Sequence, residues 1–273
     1  MVEHVADCIH GLENGLCDIC FPRAVPEEVR AAAARRSAPV RGSAPRAAGA
    51  VRTATRTASG TSTPSSITPS LSLTDRRVYH VTHIANLEAI LVDGEIRFDA
   101  TPEFDVSSAL TRELRATADL ASGVTVANHV ANHVPFSLTP LATTWVELRD
   151  GAIGPRWSDA ARSARPADFV ILAVPVDALG PDLVFADADA SSASTRFSFG
   201  IDEGTRALRR LHGTDPEFLD AELLVPHPVP VPTIALVGVA NDPVRDRVRA
   251  MLKDAKVATA KVAVYPPWFL LEA

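Results

Sequence analysis

The residues best suited to chemistry at the start of the chain are Cys8-x-His10 and, after six intervening residues, Cys17-x-x-Cys20, which together hold all three cysteines of the 273-residue sequence. Three thiolates and an imidazole are the donor set of a closed, tetrahedral structural zinc site, with no position left for a reacting water. Gly11 and Gly15 let the chain between the two halves fold back. A segment of this size has too little apolar surface to fold unaided, so bound metal would supply its folding energy. In a reducing compartment such spacing reads as ligands rather than disulfides. Its plain alternative is a tail with incidental cysteines. Glu3, Asp7, Glu13 and Asp18 against Arg23 make the segment acidic, which weighs against direct phosphate binding.

A second set of candidates is spread along the later sequence. "RVYHVTHIANLEAIL" places His80 and Thr82 two residues apart on one face of a strand. An imidazole and a hydroxyl so placed can hydrogen-bond a ribose or a carboxamide, although a capped strand end would look the same. Glu222 leads the apolar run "ELLV", an unusual place for a carboxylate unless the strand lies at a sheet edge with Glu222 on its surface. Arg112 and Arg115, one helical turn apart, read from pattern alone as solvated helix arginines.

Composition separates three zones: 1–23 with the Cys/His cluster, 24–75 rich in Ala, Pro, Ser, Thr and Arg, and 76–273 with the patterning of a folded domain. The middle zone can bury too little to offset the entropy of ordering it and reads as a disordered linker. It holds seven arginines against Glu27, Glu28 and Asp75, so a net −6 chain carries +4 there and −10 elsewhere. Attraction to a phosphate backbone would start from that segment or from local patches. No stretch reaches the ~18 consecutive apolar residues of a membrane span, and the start lacks the regions of a signal peptide, so a cytoplasmic protein is expected.

From Arg76 onward strands are expected at "RVYHVT", "EIRF", "HVPFSL", "TTWVEL", "DFVILAVPV", "ELLVPHPV", "TIALVGVA" and "KVAVYP". Helices are expected at "NLEAILVDG", "SSALTRELRATADL", "EGTRALRRL" and "PVRDRVRAMLKDA". The order lacks a regular βαβ repeat, which predicts an α+β domain with a split, mixed sheet.

"VYHVTHIANLEAILVDG" resembles the opening of the DarT-type DNA ADP-ribosyltransferase toxins. In order along the chain, "LTRELR" resembles their arginine-ended helix, "NHVPFSLTP" their Val-Pro-Phe strand and "FADADASSASTRF" their Asp-containing loop. "DAELLV" and "VYPPWF" are similar to their Ala-Glu-x-Leu-Val strand and their closing aromatic strand. Each motif is short; the specificity lies in their order and spacing from Arg76 to the C-terminus.

The resemblance implies an ADP-ribosyltransferase fold that binds NAD in the cleft of a split sheet and transfers ADP-ribose to a base in single-stranded DNA. His80 and Thr82 would hold the nicotinamide-side ribose and carboxamide, and Asn86 would shape the NAD pocket. Glu222 would be the catalytic carboxylate and Arg115 the arginine beside the acceptor base, with Arg112 as second choice. A macrodomain antitoxin is an expected partner and no membrane is. The chain departs from the family at His133, Ser137 and Leu138 around Val-Pro-Phe, at Leu141–Thr144, and at Asp189, where the family has a loop histidine. In the family these positions lie on the substrate side, so the resemblance supports NAD use more firmly than a particular base. RNA or protein as acceptor, or a zinc-knuckle adaptor that binds without catalysis, are the alternatives.

Overall fold

The structure, a computed structural model, describes residues 71–120, 129–257 and 260–270. The proposed zinc ligands Cys8, His10, Cys17 and Cys20, and the linker up to residue 70, lie outside the described residues. The described residues all fall in one compact unit, Ile67–Ala273. Packing is already established at Leu73, which is fully buried and whose N–H donates to Thr205 Oγ1 at 3.3 Å.

The centre of the fold is β4 (Phe169–Pro175), the continuous apolar run of the sequence. Its alternate side chains serve two cores: Val170, Leu172 and Val174 face one, and Phe169, Ile171 and Ala173 the other. Burial on both faces is why the run shows no polar alternation. Along one side β4 pairs antiparallel with all seven residues of β1 (Arg77–His83), and along the other with β9 (Leu236–Val239). Beyond β9 lies β10 (Lys261–Val264), paired with it in parallel.

The sheet continues on the far side of β1 through β3 (Val134–Ser137), β7 (Glu222–Val225), β5 (Val184–Ala186) and β6 (Phe197–Phe199). Its full order is β10-β9-β4-β1-β3-β7-β5-β6. The two halves meet at a narrow seam, because β1 and β3 share the single register pair Tyr79↔Ser137. Below that pair the strands part, and this is the expected split. A separate two-stranded sheet joins β2 (Glu95–Ile96) to β8 (Val229–Pro230).

Helices cover both faces. α1 (Ile84–Asp93) buries Ile84, Leu87 and Leu91 in the first core and ends, as the sequence predicts, at Gly94 with φ 76°. Only glycine takes that left-handed turn without steric cost. α2 (Ala109–Thr117) is capped by Ser108 and buries none of its residues. α5 (Gly200–Leu211) and α6 (Asp242–Asp254) complete the first core with Leu208, Val248 and Leu252. α3 (Thr143–Arg149) and the short α4 (Asp159–Ser163) cover the second core.

Three expectations need correction. "TTWVEL" is not a strand but α3, which buries Trp145, Leu148 and Arg149 at helical spacing; the β preference of Thr, Thr, Trp and Val loses to burial of that stripe. "EIRF" is reduced to the two residues of β2, and "ELLVPHPV" breaks into β7 and β8.

Candidate active site

A cleft with a cavity volume of about 230 Å³ opens where β1 and β3 part. Its walls bring together His80, Thr82, Asn86, Arg115 and Glu222, five residues drawn from β1, α1, α2 and β7. Arg112 is not among them. It lines a neighbouring cavity, bonded to Asp105 and to the Ser107 carbonyl.

Glu222 stands at the head of a central strand, opposite Ser137 of β3 on one side and Ala186 of β5 on the other. It is 8% exposed, so the edge-strand alternative does not hold. Burial of a carboxylate needs partners. Arg115, at the last turn of α2, donates from Nη2 to Oε2 at 3.1 Å and from Nη1 to Oε1 at 3.4 Å, and the Ala190 N–H reaches Oε1 at 3.4 Å. Burial pulls the Arg115 guanidinium down, but the charge and hydrogen bonds of Glu222 outweigh it and hold it above the ordinary arginine value. A bidentate pair fixes both planes as well as the distance.

His80 donates from Nδ1 to the Pro135 carbonyl across the seam at 3.0 Å. Because a carbonyl only accepts, the neutral ring carries its proton on Nδ1 and leaves Nε2 as an acceptor. Burial keeps this imidazole below the usual histidine range, against the smaller opposing effect of the Pro135 bond. Asn86 is consumed by structure: Nδ2 donates to Thr82 Oγ1 at 3.2 Å and to the Phe104 carbonyl at 2.9 Å, while Oδ1 accepts from the Phe104 N–H at 2.7 Å. It therefore pins the loop before α2 against β1. Thr82, having accepted from Asn86, keeps its own hydroxyl proton to donate.

Sequence reasoning missed several contributors. His83 caps α1, accepting from the Ala85 N–H at 3.2 Å, and stacks on Phe104 with ring centroids 3.9 Å apart. Tyr79, Phe136, Trp145 and Trp157 give the cleft its aromatic walls. Arg156 enters from the segment between α3 and α4 and pairs with Asp189. Of these, Tyr79, His83 and Phe136 stand in the quoted motifs and Asp189 is a departure from the family pattern, whereas Trp145, Trp157 and Arg156 had no signal in the sequence. Leu138, another departure, is a buried core residue, whereas Ser137 lines the cleft. No group of His, Cys, Asp and Glu among the described residues is arranged to hold a metal.

The mixed sheet, with its cleft at the seam, matches the ADP-ribosyltransferase fold. The comparisons resolve the class further. The model of the family described as "ssDNA thymidine ADP-ribosyltransferase, DarT" matches residues 79–270. Among solved structures, Thermus sp. 2.9 DarT in complex with ADP-ribosylated ssDNA is 20% identical at a TM-score of 0.60, covering 72% of this chain and 97% of that one. The same protein in complex with NAD+ is 21% identical at 0.58, covering 72% and 98%. Thermosipho africanus DarTG in complex with ADP-ribose is 18% identical at 0.55, covering 72% of this chain and 51% of that one. No curated protein matches. The chain belongs to the DarT family, and is an NAD-dependent ADP-ribosyltransferase acting on single-stranded DNA.

Proposed function

We propose that Glu222, Arg115, His80, Thr82 and Asn86 carry out this transfer in the cleft at the sheet seam. The observation that carries the assignment is the Arg115–Glu222 pair, a buried carboxylate and its cation facing the same cavity as the His80–Thr82 strand. The bond from C1′ of the nicotinamide-side ribose to the nicotinamide nitrogen breaks, and nicotinamide leaves with the electron pair. Positive charge builds on the ribose as it does in glycoside cleavage. Glu222 stabilises that charge and holds the 2′-hydroxyl. His80 Nε2 accepts from a ribose hydroxyl, and the Thr82 hydroxyl donates to the carboxamide. Asn86 keeps the loop at Phe104 closed on β1. A ring nitrogen of the acceptor base then bonds to C1′ and passes its proton to the Glu222 carboxylate, with Arg115 orienting the base. An unpaired strand serves best, since presenting a base from a duplex costs unstacking energy.

The protein acts as a toxin in the cytoplasm, opposed by a macrodomain partner that removes the ADP-ribose; the likeness to DarTG supports this. Cys8, His10, Cys17 and Cys20 hold a structural zinc, which the donor set and its spacing support. Nicotinamide release from NAD in the presence of single-stranded DNA, abolished by Glu222→Gln, tests the catalytic assignment. Label from NAD appearing on DNA, and not on RNA or protein, tests the acceptor. Zinc content of the purified chain, lost on Cys17→Ser, tests the metal.

A further inference from the structure

Two arms close on Glu222: α2, which delivers Arg115, and the loop between β5 and β6, which delivers the Ala190 N–H. The loop is seated at Ala190 in a small apolar cluster with Val130, Val184, Ala186 and Leu224, while Arg115 and Asp189, the charged residues on either arm, are set by polar contacts. α2 buries no residue, and the loop of residues 187–196 is threaded by polar contacts, with Asp187 bonded to Arg196 and the Asp189 carbonyl accepting from Thr195 Oγ1 at 2.6 Å.

One residue touches both arms. The Arg156 carbonyl accepts from the Ser108 N–H at 2.9 Å and from Thr111 Oγ1 at 2.8 Å, which anchors the first turn of α2. Its guanidinium reaches across the cleft lip to the Asp189 carboxylate through Nη2, with Glu147 further off at 3.9 Å. Asp189 divides its two oxygens: Oδ1 accepts from the Ser191 N–H and hydroxyl at 2.9 and 2.7 Å, and Oδ2 takes Arg156. The ion pair thus fixes the residue immediately before Ala190. Burial raises the Asp189 carboxyl, but the Ser191 bonds and the charges of Arg156 and Arg115 outweigh it and keep it below the usual carboxylate range.

We propose that Arg156 is a positioning residue for the transfer: through Asp189 it fixes the loop whose backbone amide orients Glu222, while its carbonyl fixes the helix that presents Arg115. Asp189 is the partner that gives the Arg156 guanidinium its hold on the loop. This rests on the catalytic assignment of Glu222. Misplacing a reacting group by about 1 Å can cost on the order of 100-fold in rate. The effect therefore falls on kcat, with KM for NAD within about twofold.

The test is a double-mutant cycle on the full chain with Arg156→Gln, Asp189→Asn and the pair combined, reading kcat and KM for NAD with single-stranded DNA as acceptor. An active wild type and an inactive Glu222→Gln establish the underlying assignment before the cycle is interpreted. Both side chains are partly exposed, and an unchanged melting temperature confirms that each variant folds. Should Arg156→Gln unfold the chain, Arg156→Lys replaces it, since lysine keeps the charge and loses the planar fork. The expected result is a fall in kcat of about tenfold or more for each single variant, and no further fall in the double variant, because both remove the same contact. Losses that multiply in the double variant, or that fall on KM for NAD, would show Arg156 meeting a substrate phosphate directly and overturn the proposal. So would single variants with unchanged kcat.

Discussion

A carboxylate buried in a central strand is tolerable only while its cation stays beside it. Removing one member of a buried pair typically costs 3–5 kcal/mol, roughly, because the other is left uncompensated. Arg115→Ala is therefore expected to lower both activity and melting temperature, whereas Glu222→Gln, which keeps size and hydrogen-bonding atoms and leaves Arg115 the charge of Asp189, is expected to lower activity with a smaller loss of melting temperature. Calorimetry of the two variants side by side checks this, and equal losses of stability would contradict it. His80 makes a second prediction. Its neutral ring is the form that accepts through Nε2, and burial holds its protonation below the ordinary 6.5. Turnover should thus stay flat from about pH 8 down to 6.5, the unperturbed histidine value, and fall only below it. The sign for stability follows. The unfolded chain takes up the proton near the ordinary value and the folded chain only at lower pH, so His80 lowers stability as pH drops through that interval. His80→Gln should flatten that part of a melting-temperature profile taken against pH.

Elements were legible to the extent that local pattern and final environment agree. β4 announces itself by an unbroken apolar run, and α1 by its periodicity and terminal Gly94. "TTWVEL" misleads because its residues favour strands one by one, while the stripe Trp145, Leu148 and Arg149 is buried only as a helix. The candidate site divides the same way. His80, Thr82, Asn86, Arg115 and Glu222 stand in motifs that could be quoted from the sequence. Arg156 stands in none, because its role arises from a contact with Asp189 across thirty-three positions of sequence. Close packing between elements was also invisible: a Cβ added at Gly238 of β9 would lie 2.4 Å from the Trp268 ring. Overpacking of this kind typically costs about 1–3 kcal/mol. Gly238→Ala is accordingly expected to lower the denaturation midpoint without altering KM for NAD, which urea titration and steady-state kinetics would check.

At the scale of the whole molecule, one arrangement explains why the chemistry sits where it does. β1 is bonded along its full length to β4 and at a single pair to β3, so the sheet has two halves and a seam between them. The half with β1 presents His80 and Thr82, the other half presents Glu222, and α2 bridges the gap with Arg115. The acidic charge of the folded region, against the seven arginines of residues 24–75, means that contact with a nucleic-acid backbone is a matter of local patches and not of overall attraction. The most direct measurement is mass spectrometry of a mixed-sequence single-stranded oligonucleotide after incubation with the purified protein and NAD, with Glu222→Gln in parallel. The predicted result is a mass gain of one ADP-ribose on the DNA, localised by fragmentation to a base and reduced about a thousandfold or more in the variant. An oligonucleotide that gains no mass, or gains it equally with Glu222→Gln, would contradict the assignment.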